Sequence, residues 1–440
     1  MNRNLTQGPI LKSMIIFALP LICGNLLQQL YNVVDTYVVG QYLGADAIAA
    51  VGSSYSIMTF ITSIILGLCM GAGVLFSMLY GANKIKDMKN SFVVSFGFIG
   101  LLSLVIMCLS IVFTDDILVF MNIPNDIFRL TKDYLQVICF GIMFTYLYNY
   151  FACLLRSLGD SKTPLLFLGI STVLNIVLDI MFVLYISQTV KSVAYATIIS
   201  QCISAILMMI YTCKKKKEYM PSIEHIYFDK NLFSKFISYS LLTSLQQSIM
   251  NFGIMLIQGL VNSFGVAVMA GFSTAVKIDS LAYMPVQDFG NAFSTFIAQN
   301  TGANQEGRVK QGLKVASIVS FIFSLLISVI VFIFAKDFMM IFLQSHEIEA
   351  INVGIEYLRI EGACYIGIGM LFLWYGFYRG AGKPVISVIL TIVSLGTRVL
   401  LSYSLSGVLG PTIIWWSIPI GWFLADFIGL FFLKRTIILL

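Results

Sequence analysis

Charge is what this sequence lacks most. Lys, Arg, Asp and Glu make up 11% of its residues while 58% are hydrophobic; an ordinary soluble domain carries about 25% charged residues. No soluble core needs that much apolar surface, so the chain reads as an integral membrane protein. Histidine is scarce too: His225 and His346 both fall in polar connectors, which argues against a His-based metal or proton-relay site inside the membrane. The eight cysteines form no Cys-x-x-Cys pair, and Cys23, Cys69, Cys139, Cys153, Cys202 and Cys364 lie in hydrophobic runs as small apolar fillers. No Gly-x-x-x-x-Gly-Lys-Ser/Thr phosphate loop is present, which disfavours nucleotide-driven work. No nucleophile stands with a base in a membrane run, which disfavours a membrane-embedded enzyme. The Met-Asn-Arg start lacks the short apolar region and small-residue cleavage site of a secretory signal, so the first apolar segment is expected to stay as a transmembrane helix.

That first segment, Met14 to Val39, is long enough to cross a bilayer core of about 30 Å, yet its far end holds Gln28, Tyr31, Asn32 and Asp35. Gln28, Tyr31 and Asp35 are spaced i, i+3, i+7 and share one helix face, with Asn32 beside them. An ionisable residue inside a membrane helix costs about 2.5–3.5 kcal/mol at the bilayer centre on insertion scales and marks an ion or substrate pathway. The alternative is an interfacial Asp that snorkels to water.

Polar breaks divide the chain into twelve apolar segments, 14–39, 48–80, 91–113, 134–155, 164–186, 192–213, 232–262, 281–300, 314–334, 357–378, 384–406 and 411–433. With both termini inside, 20 basic residues lie on the inner side and six on the outer, as the positive-inside rule requires. The expected organisation is an N-terminal lobe 1–213 with helices one to six, a cytoplasmic polybasic linker 214–231, and a C-terminal lobe 232–440 with helices seven to twelve. The two halves repeat at an offset near 221: Tyr80-Gly-Ala-Asn83 matches Thr301-Gly-Ala-Asn304, Asp133-Tyr-Leu-Gln-Val137 matches Glu356-Tyr-Leu-Arg-Ile360, and Leu155-Arg-Ser-Leu-Gly159 matches Tyr378-Arg-Gly-Ala-Gly382. An even number of spans per repeat makes the repeats parallel, related by a pseudo-two-fold axis along the membrane normal. The fold class is therefore all-α, twelve transmembrane helices in two six-helix lobes.

Function is sought where the repeat breaks. Asp35 has no acidic counterpart in the second half, and Asn175 and Asp179, one face of span five, are replaced there by Arg398 and Ser402. At these positions a carboxylate is thus kept in the first half only. At 1.5 Å per residue, Asp179 lies roughly 22 Å beyond Pro164 and Thr197 roughly 9 Å in from Lys191, so with Asp35 all three reach the outer half of the membrane. Two close carboxylates in a low-dielectric medium cannot both stay ionised cheaply, so the pair can hold a proton or, with Asn175 and Thr197, a Na⁺ ion. A purely structural role in helix–helix hydrogen bonding is the alternative. Glu361 or Asp426 is read as a structural ion-pair partner of Arg398.

Pro20 with Val34-Asp35, Gly44-Ala-Asp-Ala-Ile-Ala-Ala50, Tyr80-Gly-Ala-Asn83, Arg156-Ser-Leu-Gly-Asp-Ser-Lys-Thr-Pro164, Asn175 with Asp179, Tyr283-Met-Pro285 and Arg379-Gly-Ala-Gly-Lys-Pro384 together resemble the multidrug and toxic compound extrusion (MATE) transporters, in the prokaryotic branch with a first-helix Asp. The resemblance covers essentially the whole chain. It implies a secondary antiporter that exports organic, lipophilic or cationic drugs in exchange for H⁺ or Na⁺ by rocker-switch alternating access, with no other cofactor. Carried over by position, Asp35, Asn175, Asp179 and Thr197 form the cation-coupling site, the first three as possible Na⁺ ligands. Gln28, Tyr31, Asn32, Asn149 and Met181 are assigned to the substrate cavity, and Pro20 to helix bending. The same reading gives a monomer with no nucleic-acid or obligate protein partner, in the bacterial inner membrane with both termini cytoplasmic. One departure is that span seven carries no acid. A flippase for lipid-linked sugars is the competing cargo, and it would call for a cavity with several Arg; Arg398 is the one arginine read as intramembrane.

Overall fold

The computed structural model describes residues 4–121, 123–221, 227, 229–344 and 346–438. Their helices, in chain order, are α1 Ile10–Leu43, α2 Ala45–Gly81, α3 Ile85–Val112, α4 Thr114–Phe120, α5 Asn125–Cys139, α6 Gly141–Ser157, α7 Lys162–Tyr185, α8 Val190–Lys215, α9 Lys230–Asn262, α10 Val266–Gly302, α11 Glu306–Phe342, α12 Ile348–Ala363, α13 Tyr365–Gly380, α14 Pro384–Leu409 and α15 Thr412–Ile438. Eight are individually long and apolar enough to cross a membrane, and ten spans result when the bent pairs α5–α6 and α12–α13 each count once. The equally long but more polar α9 and α10 bring the rods to twelve.

Some segment ends differ from the hydropathy reading. The segment expected at 281–300 begins fifteen residues earlier, at Val266, because Ser273, Lys277 and Asp279 dilute its apolar character without breaking the helix. The segment 134–155 is two helices meeting at 42°. The segment expected to end at 334 runs on to Phe342, through a kink at Phe334 with φ −95° and ψ 15°. His225, in the linker, lies outside the described residues.

The backbone repeats as the motifs do. Asn83 and Asn304 both adopt left-handed φ, 56° and 53°, closing α2 and α10 with the amide of the following residue on the carbonyl of Leu79 or Asn300; Asn is among the few non-glycine residues enriched in that conformation. Phe113, between α3 and α4, has φ −95° and ψ 22°, nearly the values of Phe334. The bend at Phe140 is matched by the 56° bend between α12 and α13.

By contacts the chain forms two units, Cys23–Ser244 in one, and Leu5–Ile22 with Leu245–Leu440 in the other. Most of α1 therefore belongs to the first unit and its start to the second, while α9 does the reverse. In the first unit, Phe76, Phe92, Phe96, Tyr146 and Tyr150 interlock edge-on and tilted, and α2 meets the start of α9 at a small-residue crossing. A Cβ on Gly71 would sit 2.4 Å from the Ser240 Cα, and one on Gly67 would sit 2.3 Å from the Ser244 Cα. Such Gly-x-x-x-Gly contacts let backbones touch where there is no hydrophobic drive between helices in lipid.

In the second unit the segment before α1 is held by α10 and α11. Arg308 donates to the carbonyls of Leu5 (3.0 Å), Gln7 (3.2 Å) and Gly8 (2.8 Å) and to Asn300 Oδ1 (3.1 Å), and Gln299 accepts the Leu5 amide at 2.9 Å. The repeat-equivalent Asp87 plays a parallel part in the first unit, accepting from the Tyr227 hydroxyl at 2.7 Å in the segment before α9. Hydrogen bonds to a charged group are worth about 1.5–3 kcal/mol each at best. Arg308→Ala is therefore expected to free residues 5–8 while the rest of the fold persists. Hydrogen exchange at the Leu5 amide reads this directly: exchange at least tenfold faster is expected, and unchanged protection would mean that Gln299 and packing suffice.

Candidate functional site

The site begins with how α7 is started. After the left-handed Gly159, Asp160 accepts the Thr163 amide (3.1 Å) and hydroxyl (2.9 Å), capping the helix, and Lys216 of the α8 end lies 3.7 Å from its carboxylate. This fixes the register of α7 and with it Asn175 and Asp179. Three further helices meet that face: α1 brings Tyr31 and Asp35, α8 brings Thr197, and α5 brings Tyr134.

The lateral convergence that depth alone left open is present. Asp35 and Asp179 face each other at close range, with Tyr31 and Tyr134 beside both. Thr197 Oγ1 accepts from the Tyr31 hydroxyl at 3.2 Å and from Asn175 Nδ2 at 3.4 Å. Asp179 is 0% exposed, Asn175 1% and Asp35 7%. Among the described residues, one oxygen of Asp35, both of Asp179 and the Asn175 carbonyl oxygen have no hydrogen-bond donor. Buried polar atoms are rarely left so. Two facing carboxyls short of donors, with no Lys or Arg among the described residues acting on them, suit a positive charge taken from solution, either a proton shared between them or a monovalent cation that Asn175 can also ligate.

The other assigned residues stand differently. Tyr31 is part of the cluster. Gln28 and Met181 are exposed, and Asn32 and Asn149 half-buried; the Asn149 amide is engaged with the Thr145 carbonyl of its own helix at 2.8 Å, and the Asn32 carbonyl accepts from Thr36. Pro20 is buried within an α1 that runs unbroken through it. Tyr134 escaped the sequence reading although the repeat motif contains it: among 21 tyrosines it offers no contrast. Thr197→Val keeps the shape but leaves the Tyr31 and Asn175 donors unpaired, a loss of about 1–3 kcal/mol. Thermal unfolding in detergent reads that loss: a melting temperature several degrees below wild type is expected, and an unchanged one would mean that both donors find other partners.

A second acidic cluster, at positions other than those equivalent to Asp35, Asn175 and Asp179, stands in the second half. Asp279 of α10 and Glu361 of α12, 4% and 1% exposed, face each other with Tyr357 and Tyr365 turned on them and Arg398 of α14 within electrostatic range. Asp279 was missed because hydropathy set the start of its span at 281. Arg398 acts on Asp279 and Glu361 and not on Asp426, which removes Asp426 as its expected partner. Among the described residues it enters no ion pair within 4.0 Å. Tyr357 is the repeat-equivalent of Tyr134, so each lobe keeps one buried tyrosine at its own acids.

The MatE family model matches residues 20–181 and 241–404, once in each half. The probable multidrug resistance protein YpnP of Bacillus subtilis is 31% identical over 399 residues, covering 89% of this chain and 87% of its own length. The probable multidrug resistance protein NorM of Thermotoga maritima is 25% identical over 415 residues, with 92% and 88% covered. A solved MOP superfamily transporter from Pyrococcus furiosus superimposes with a TM-score of 0.92 over 99% of this chain and 97% of that one, at 22% identity. The fold is the all-α, twelve-helix, two-lobe membrane architecture of these transporters. With its two matched halves and its full-length relatives, the chain belongs to the MatE family of multidrug and toxic compound extrusion membrane transporters.

Proposed function

We propose that this transporter is a secondary antiporter that exports organic, lipophilic or cationic compounds in exchange for H⁺ or Na⁺ by alternating access, with Asp35, Asn175, Asp179 and Thr197 as its coupling site. The observation that carries the reading is the pair of facing, buried carboxyls of Asp35 and Asp179, three of whose four oxygens lack a hydrogen-bond donor among the described residues. Such a pair is stable only when it takes up a positive charge, and uptake that differs between two conformations is what couples an ion gradient to transport. The names of the relatives, multidrug resistance and multidrug export proteins, support the cargo class. Lobes 1–213 and 232–440 joined by the 214–231 linker, a place in the bacterial inner membrane with cytoplasmic termini, and a monomeric state belong to the same reading.

The test is efflux of ethidium from proteoliposomes under an imposed Na⁺ or pH gradient. Export that follows one gradient and ignores the other names the ion. Export that follows neither refutes the antiport reading.

A further inference from the structure

We infer that Arg398 is a built-in counter-ion that neutralises the acid pair of the second lobe, so that only the first lobe takes a coupling ion from solution; the coupling part of this inference rests on the function proposed above. The two lobes solve one electrostatic problem differently. In the first unit, among the described residues, no basic side chain acts on the two facing carboxyls. In the second, the pair stands on other helices: Asp279 and Glu361 occupy the places of Met58 and Ile138 in the repeat, while Arg398 occupies the place of Asn175. Ser402, in the place of Asp179, is turned away into a 2.9 Å hydrogen bond with Ser417 of α15. The second lobe has thus lost the acid and the amide at the positions the first lobe uses, and gained two acids and one permanent cation beside them.

The charge count follows. With one proton shared between Asp279 and Glu361, the pair carries a single negative charge, and the guanidinium, which does not deprotonate in proteins, cancels it. The groups facing the pair are Tyr283 of α10, Tyr357 of α12, Cys364 at the α12–α13 junction, Tyr365 of α13 and Arg398 of α14. Neither acid acts on Asp426 of α15. Arg398 is therefore the cation on which neutrality depends among the described residues. Taking one partner from such a set leaves a buried charge uncompensated, which is far more damaging than removing the whole set.

The experiment is a charge-removal cycle on the full chain in detergent, read as melting temperature by intrinsic fluorescence and therefore independent of transport. Asp279→Asn and Glu361→Gln each leave one carboxylate opposite Arg398, and each is expected to melt within a degree or two of wild type. Arg398→Met should melt several degrees lower at mildly alkaline pH and recover in mild acid, where the pair takes a second proton; wild type should stay flat. The double variant D279N/E361Q strands Arg398 and should be destabilised, and adding R398M to it should restore stability. A double variant as stable as wild type, or a triple variant no better than the double, overturns the counter-ion role. The coupling part is then read in proteoliposomes: the number of ions moved per ethidium, from the gradient that just halts efflux, should rise by one in R398M. An unchanged number overturns the claim that Arg398 keeps the second lobe out of coupling. Failure of wild type to export ethidium bears on the proposed function and not on the melting cycle.

Discussion

Replacing Asp179 by Asn is expected to abolish ion-driven export while the protein remains folded and continues to bind its cargo. Asp179 is completely buried and neither of its oxygens receives a hydrogen bond among the described residues, so under the function proposed above the native side chain depends on a bound positive charge. An amide of the same shape removes that dependence and leaves packing intact. The lost attraction between a carboxylate and a cation about 4 Å away, at an effective dielectric of about 20, is about 4 kcal/mol, or roughly a thousandfold in ion affinity. Asp35→Asn should give the same phenotype, because the two carboxyls act as one acceptor. The double variant should be no worse than either single one, as expected for residues that act as a unit. Efflux of ethidium from proteoliposomes, with retention of a monodisperse peak on size exclusion as the folding control, decides it. Variants that pump at the wild-type rate would make the pair structural.

The largest effect on stability is expected at Gly71. A Cβ there would lie 2.4 Å from both the Ser240 Cα and the Tyr239 carbonyl oxygen, backbone atoms that no rotamer change can move aside. Gly71→Val forces α2 and the start of α9 apart, and with Gly67 one turn away nothing else in the crossing can absorb the shift. Overpacking a dense interior costs about 1–3 kcal/mol when side chains can yield; here they cannot, and little folded protein should survive extraction into detergent. Gly97 of α3 is the matched control, because a Cβ on it meets nothing within 4 Å. Gly97→Ala should be neutral or stabilising by up to about 1 kcal/mol through helix propensity. Equal yields of the two variants would show that the α2–α9 crossing is looser than its geometry indicates.

The contrast between what the sequence displays and what it hides has physical causes. Asp35, Asn175 and Asp179 are legible because a polar side chain in an apolar run stands out, and because helical rise converts sequence position into depth. Their meeting side by side is set by how α1, α7 and α8 pack, which no single-helix pattern encodes. Asp279 was hidden by the same hydropathy that revealed Asp35: it lies in the polar first part of α10, and a span drawn by apolarity stops short of it. The left-handed Asn83 and Asn304 and the bends at Phe140 and Cys364 show that the motif repeat is a repeat of backbone conformation. Arg308 was counted only as a topological anchor, since a segment as short as residues 5–8 carries no periodicity to announce that Leu5 is fully buried. The Gly67–Gly71 spacing was visible, but its partners Ser240 and Ser244 lie more than 160 residues away.

The central claim, that Asp35 and Asp179 hold the ion that cargo displaces, is tested most directly by binding alone. Ethidium is added to the purified protein in weakly buffered detergent, with a pH indicator to follow protons and a sodium-selective electrode to follow Na⁺. The account predicts close to one H⁺ or one Na⁺ released per ethidium bound by wild type, and none by Asp35→Asn or Asp179→Asn. Ion release from those variants equal to wild type would contradict it, because the displaced charge would then come from somewhere else.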